Sequence, residues 1–368
     1  MRTEVVNRWN PMSSTLRRDI VVAGLIGGVV ALATIVMLAR VETETLPAQL
    51  PAYVVPYDQR VLDDPLEVML ARSDGQAFAT LARDPTLSRA VEEFRTPGQA
   101  AFRAQRPLAP YLAWALSAGR PHWVAPALAV MAVLGTAAMA AATGALIGAR
   151  GGPPALGGIA ALLPGAFAVN SYLGPDALAI GLVLFGLVTF ERDKVWTAVG
   201  LMTLAALGRE TMLVVPAVLF VADLLQRRHP IRWPLVIPGV AWASWVAVVW
   251  VRVGDLPTGH GDGALGMPMR GIIDGFQNSI DGGGPLLAAM FAGLILSAIA
   301  IAPKDRYAHI ALVYLLLSTM LGVRVWMSWY YFGRLLLPAL CLALAVVIGW
   351  WARRRDLLAD RALATQEE

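Results

Sequence analysis

Residues 20–38, IVVAGLIGGVVALATIVML, decide what kind of fold this chain can adopt. The run carries no charge and is long enough to cross a bilayer, which takes about 20 apolar residues in a helix. Hydrocarbon offers a peptide backbone no hydrogen-bond partners, so the run must be helical, because a helix satisfies its own N–H and C=O groups. A secretory signal is the rival reading, but its apolar core is typically about 7 to 15 residues and a small-residue cleavage site follows it. Here a polar leader with Arg2, Arg8, Arg17 and Arg18 comes first, and no clean A-x-A site follows. The run reads as a retained anchor.

Composition extends that reading to the whole chain. Of 368 residues, 57% are hydrophobic and 15% charged, with a mean hydropathy of +0.59, too apolar for a protein dissolved in water. Further apolar runs fall at residues 122–147, 154–172, 175–190, 195–207, 211–225, 233–251, 285–301, 308–323 and 331–351. The expectation is an all-α polytopic membrane protein, one domain over residues 1–368, with about ten transmembrane helices and a tail at 352–368. Several runs fall short of about 20 residues, so those helices tilt or are shielded by neighbours. The single Cys341 lies inside an apolar run, and the four histidines show no ligand spacing. Neither a disulfide framework nor a histidine metal site is expected, nor is a nucleic-acid partner.

Orientation follows from the short loops, where basic residues mark the cytoplasmic side. Arg17 and Arg18, Arg150, Arg192 and Lys194, Arg227, Arg228 and Arg232, Lys304 and Arg306, and Arg353 to Arg355 all gather on one side. Both termini are therefore expected to be cytoplasmic, with residues 41–121 and 252–284 facing outward from the cytoplasmic (inner) membrane. Each long loop carries an amphipathic piece. In the first, Thr86 caps an expected helix through Phe94, with Leu87, Val91 and Phe94 on one face. In the second, Met269, Ile272, Ile273, Phe276 and Ile280 share a face. Each reads as an interfacial helix or as one packed on the body of the protein. The glycines of 252–284 lack any phosphate-loop spacing and fit a lid or a plain connector.

Charge at the outer ends of the spans is costly, and a site is the default explanation for it. The stretch RSDGQAFATLARDP, residues 72–85, centres on Asp74 and Gly75, either a plain turn or an acid left unshielded by its neighbour. Arg103 and Arg106 precede a helix begun by Pro107, whose N-terminus attracts anions. Arg209 and Glu210 sit in a turn between two spans. Asp176 starts another helix on the same side, and Arg324, Trp326, Trp329, Tyr330, Tyr331 and Arg334 crowd the start of the last span. Any one of these arginines reads most simply as snorkelling to the interface. Their convergence with Asp74 on one face points to a site.

Four segments then carry a family resemblance: Asp74, Gly75, Gln76 and Phe78 as a DGQ-F motif, RPLAPYLAWAL at 106–116, GRETMLVVP at 208–216, and YYFGRLLLP at 330–338. With these the chain resembles the GT-C superfamily of integral-membrane glycosyltransferases, over most of its length. The resemblance implies an inverting transfer of one sugar from a polyprenyl-phosphate carrier to an envelope glycan, glycolipid or protein at the outer membrane face. It makes Asp74 the catalytic base and Gln76, Arg103, Arg106, Arg209, Glu210, Arg324, Tyr331 and Arg334 the substrate contacts. No cofactor is implied, and most of the family needs no metal. Two departures keep alternatives open. The acid of many members lies close to the first span, whereas Asp74 lies well beyond it, so Asp63, Asp64 or Glu67 is an alternative base, and a divalent metal at Asp63 and Asp64 remains an option. No appended soluble domain is expected alongside the spans. A non-catalytic transporter or lipid-handling protein is the rival class, though no internal repeat or midplane charge of the transporter kind is evident. A structural relative that has lost its activity is a third reading.

Overall fold

The computed structural model describes residues 14–44, 64–71, 73–88, 92, 94, 96–226, 231–257, 267–280 and 282–364. Over these residues the chain is nearly all helical and contains no β-strand. The helices are α1 (Ser14–Glu44), α2 (Pro65–Ala71), α3 (Gly75–Arg83), α4 (Pro97–Ala104), α5 (Leu108–Leu116), α6 (Val124–Gly148), α7 (Pro164–Tyr172) and α8 (Asp176–Phe190). They continue as α9 (Val195–Gly208), α10 (Val214–Leu225), α11 (Ile237–Val253), α12 (Arg270–Gln277), α13 (Gly284–Ile301), α14 (Arg306–Ser318), α15 (Val323–Trp326) and α16 (Trp329–Ala364).

Five helical segments are long and apolar enough to cross a membrane: Ser14–Arg40, Pro121–Gly148, Trp233–Val253, Gly284–Ile301 and Trp329–Ala359. The run expected at 154–172 is a 3-10 stretch, Pro154–Leu162, followed by α7 at a 62° bend, and counts as a sixth span if the pair is one crossing. Pro164 stands at the break, where a missing N–H and a fixed φ stop the first segment and start the second. Asp176–Phe190, Val195–Gly208 and Arg306–Ser318 are shorter apolar helices.

α1 shows how such helices pack. Its buried positions recur every fourth residue, at Ala23, Gly27, Ala31, Ile35 and Ala39, while Val21, Leu25, Val29 and Leu32 are exposed. Small residues face the protein and large ones face outward, the arrangement expected where lipid is as apolar as the core and close backbone approach drives association. The crossing of α7 with α16 is as tight: a Cβ on Gly165 would overlap the backbone carbonyl of Gly333. α16 is the most enclosed long helix, with Leu336, Leu337, Leu340 and Leu342 fully buried or nearly so.

The described residues between 64 and 116 pack on the body of the protein as a cap over one end of the bundle. Val68 to Ala71 of α2 and Ala77 to Ala82 of α3 are buried, and Leu81, Leu87, Phe94 and Ala101 pack against Val249 and Val253 of α11. The expected helix from Thr86 does not start there. Leu87 has φ 58°, outside the helical region, and the Thr86 hydroxyl bonds Asp84 and Ser88. Residues 89–91 of that expected helix lie outside the described residues. The second amphipathic piece does form a helix, α12, and it docks on the body through Gly271 and Gly275 against the backbone around Leu321 and Trp326. Ile273 stays exposed on its other side, and Ile280, beyond its end, is exposed too.

Gly165→Ala is expected to destabilise the protein by about 1–3 kcal/mol, the usual cost of overpacking. Gly200→Ala adds a methyl that meets nothing within 4 Å, so it is expected to be neutral or stabilising by about 0.5–1 kcal/mol from helix propensity. Thermal unfolding in detergent measures both, and equal melting temperatures would contradict this packing.

Candidate active site

Asp74 stands at the first residue before α3, but its carboxylate does not cap that helix. Ser73 does the local work: its hydroxyl accepts the Gly75 N–H at 3.1 Å and donates to the Tyr172 carbonyl at 3.3 Å. The Asp74 side chain is thereby left for long-range partners. Gly75 is needed here for a reason other than a turn, since it is helical in conformation. A Cβ at Gly75 would overlap the Tyr172 carbonyl oxygen, so only glycine lets α3 start against the end of α7.

Two arginines reach Asp74 from opposite directions. Arg103, in the last turn of α4, donates at 2.8 Å, and Arg334 of α16 donates at 3.3 Å. α4 is started by the Thr96 hydroxyl, which accepts the Gln99 N–H, and by Pro97 in its first turn. Arg334 also lies 3.7 Å from Asp176, which pairs with Arg209. Arg106, just before α5, binds Glu210 through two bonds of 2.7 Å, the planar fork-on-carboxylate geometry. Four guanidinium groups thus face three carboxylates, leaving one positive charge in excess.

Aromatic rings fix the orientation of these groups. Arg334 lies 4.3 Å over Tyr172, and Tyr172 stacks on Tyr331 with centroids 6.4 Å apart. Arg103 and Arg106 both lie over Phe102, at 5.2 and 5.0 Å. Pro338, inside α16, has no N–H to give the Arg334 carbonyl, so that carbonyl lacks its helical partner.

Burial would raise the carboxyl pKa of Asp74, but Arg103 and Arg334, with a smaller contribution from Arg106, outweigh it and hold it well below the usual carboxylate range. Burial acts in the same direction on Glu210, and its Arg106 partner overrides it, bringing the group down to about 2. Both acids are ionised at neutral pH. Within this network the buried Nε atoms of Arg209 and Arg334 have no acceptor among the described residues. The Gln76 Oε1 and Thr211 Oγ1 atoms are likewise buried without a partner. An unsatisfied buried charged donor is costly, and an anionic oxygen is the ligand that satisfies it.

The network gathers most of the residues expected from the sequence: Asp74, Arg103, Arg106, Arg209, Glu210, Arg334 and, by stacking, Tyr331. Gln76, the second residue of α3, is buried. Arg324 is not among them, being exposed on α15 and making none of these pairs. The described alternative acids, Asp64 and Glu67, have other partners. Asp64 accepts the Leu66 N–H at 2.9 Å, an Asx-type start to α2, and Glu67 is paired with Arg83 at 2.6 Å. Asp63 lies outside the described residues, and among those described no group of three or more His, Cys, Asp or Glu side chains is placed to hold a metal. Sequence reasoning placed Asp176 on this face without a role and missed Tyr172 and Ser73. The stretch SYLGPD at 171–176, polar residues between two apolar helices, was the available signal.

Because both acids titrate below their unfolded value of about 4, their contribution to stability is complete above that pH and is lost only as pH falls further, towards about 2 for Glu210. Melting temperature in detergent is expected to stay level from pH 7 to about pH 4 and then to fall. A decline that begins near pH 6 would show that the carboxylates are not held ionised.

No family model matches the chain, and neither the search of curated proteins nor that of solved structures returns a match.

Proposed function

We propose that this chain is a GT-C-like inverting glycosyltransferase that moves a sugar from a polyprenyl-phosphate carrier to an envelope glycan, glycolipid or protein at the outer face of the cytoplasmic membrane. The observation that carries the reading is the pairing of one carboxylate, Asp74, with an adjoining set of buried guanidinium groups that have donors to spare. In this reading Arg209 and Arg334 bind the carrier phosphate through the Nε donors that lack an acceptor. The acceptor hydroxyl attacks the anomeric carbon from the side opposite the phosphate. A new C–O bond forms with inversion, the bond to the phosphate oxygen breaks, its electron pair stays on the phosphate, and the hydroxyl proton passes to Asp74.

Asp74 held by two arginines is a weak base, and donor binding supplies the remedy. A phosphate that draws the Arg334 guanidinium away removes one of the charges that lower the Asp74 pKa, so the carboxylate becomes a stronger base once donor is present. The shorter apolar helices also cross in this reading, which gives ten spans, cytoplasmic termini, and outward-facing 41–121 and 252–284. Its support is the segregation of charge: the Asp74 network occupies one end of α10, α14 and α16, and Arg150, Arg232, Lys304 and Arg306 occupy the other. A lipid-handling protein without chemistry is the second reading, favoured by that same low basicity of Asp74.

Asp74→Asn separates the two. As loss of a general base, it is expected to cut sugar transfer by about 100- to 10,000-fold while binding of the polyprenyl-phosphate sugar persists. Asp63→Asn and Asp64→Asn should leave transfer near normal. Near-normal transfer by Asp74→Asn, with loss in either control, would move the base. Absence of transfer by the native protein across a panel of lipid-linked sugars would favour lipid handling.

A further inference from the structure

We infer that the opposite end of the bundle carries a second anion site, for the phosphodiester headgroup of an acidic membrane lipid. A cavity of about 200 Å³ lies there between α10, α14 and the turn before α11, walled by Val218, Leu219 and Ala222 and fringed by Arg232, Lys304 and Arg306. It is remote from Asp74. α10 runs from the Glu210 turn to Leu225, about 18 Å for its 12 residues. α14 runs from Arg306 towards the same network, where the Tyr314 hydroxyl donates to the Thr211 carbonyl at 3.0 Å.

The charge in this cavity is only partly matched. Arg232 is held by both oxygens of buried Asp223, and its guanidinium rests 4.2 Å over the Phe190 ring. That fixes the group and leaves further N–H donors, since a guanidinium has five. Arg306 pairs with Glu191 at 3.3 Å. Lys304 and His309, at the rim, have no ion partner among the described residues. With each arginine balanced by one acid, Lys304 gives the cavity a net positive charge.

Two further observations suit a cavity mouth at headgroup depth. Trp233, next to Arg232, is exposed and packs on Phe220 at 5.5 Å, and exposed tryptophan is the side chain that anchors helices at the membrane–water boundary. The outward residues of α10, namely Val221, Leu224 and Leu225, are exposed and apolar, a surface suited to acyl chains. The volume suits a headgroup. It is below the roughly 300–1,000 Å³ of sites that enclose a whole small molecule, yet several times the roughly 30 Å³ share of one water. A phosphate group fits inside while its tails remain on α10, as for basic pockets between transmembrane helices that take acidic lipids.

Titration of the delipidated, detergent-solubilised full chain tests this without any sugar-transfer readout, so its outcome is separate from that of the transferase reading. Phosphatidylglycerol is expected to raise the melting temperature saturably, whereas phosphatidylcholine and free glycerol phosphate are not. The double variant Lys304→Gln, His309→Gln, both rim residues, should keep the lipid-free melting temperature and need about tenfold more phosphatidylglycerol for half the effect, the loss expected when hydrogen bonds to a charged group are removed. An equal response to phosphatidylcholine would overturn the acidic headgroup. An equal response to free glycerol phosphate would make the ligand a soluble phosphate and overturn the lipid. An unchanged phosphatidylglycerol response in the double variant would remove the site from this cavity.

Discussion

The guanidinium of Arg334 bridges Asp74, from the cap, and Asp176, at the start of α8, and that end of the bundle is arranged around the bridge. Three elements distant in sequence meet at one side chain. Isolated burial of any of these charges would be prohibitive in so apolar a chain, but each acid here faces at least one arginine. Such networks seldom add net stability over an apolar core of the same volume. Four arginines and three acids crowd the Asp74 end, with buried Arg209 and Arg334 Nε atoms left unpaired there, and that surplus is best explained by what it binds.

The bridge depends on small residues that bear no charge. Gly165 lets α7 cross closely over Gly333, one residue before Arg334, and Gly75 lets α3 begin against the carbonyl of Tyr172 at the end of α7. Together these contacts set Tyr172 over the Arg334 guanidinium and bring Asp74 within reach of it. A side chain on either glycine would move a charged partner, not only a helix. Packing and electrostatics are therefore coupled at this end of the protein, and the lowered basicity of the Asp74 carboxylate follows from both.

Much of this was legible in the sequence because lipid imposes few choices. An uncharged run such as 20–38 has to be a helix, and the clustering of arginines near Asp74 survives in the one-dimensional pattern as charges at span edges. What was not legible is which charge meets which. Arg334 and Asp74 are far apart in the chain, and nothing local to Glu67 distinguishes an acid bound by Arg83 from one in the site. Gly75 looked like a turn residue, because its real constraint, the Tyr172 carbonyl, comes from another helix. The amphipathic pattern after Thr86 gave a helix start that the left-handed Leu87 forbids, and the pattern at 269–280 gave a helix without saying that Gly271 and Gly275 would dock it. Periodicity reports which face is apolar, not which surface covers it.

The most direct test of the central claim is an experimental structure of the protein in lipid with a non-hydrolysable polyprenyl-phosphate sugar bound. The account predicts phosphate density within hydrogen-bond reach of the Arg209 and Arg334 Nε atoms, with the anomeric carbon on the side facing Asp74 and the Arg334–Asp74 contact lengthened beyond its present 3.3 Å. A carrier phosphate bound elsewhere, with the Asp74 network undisturbed, would contradict it.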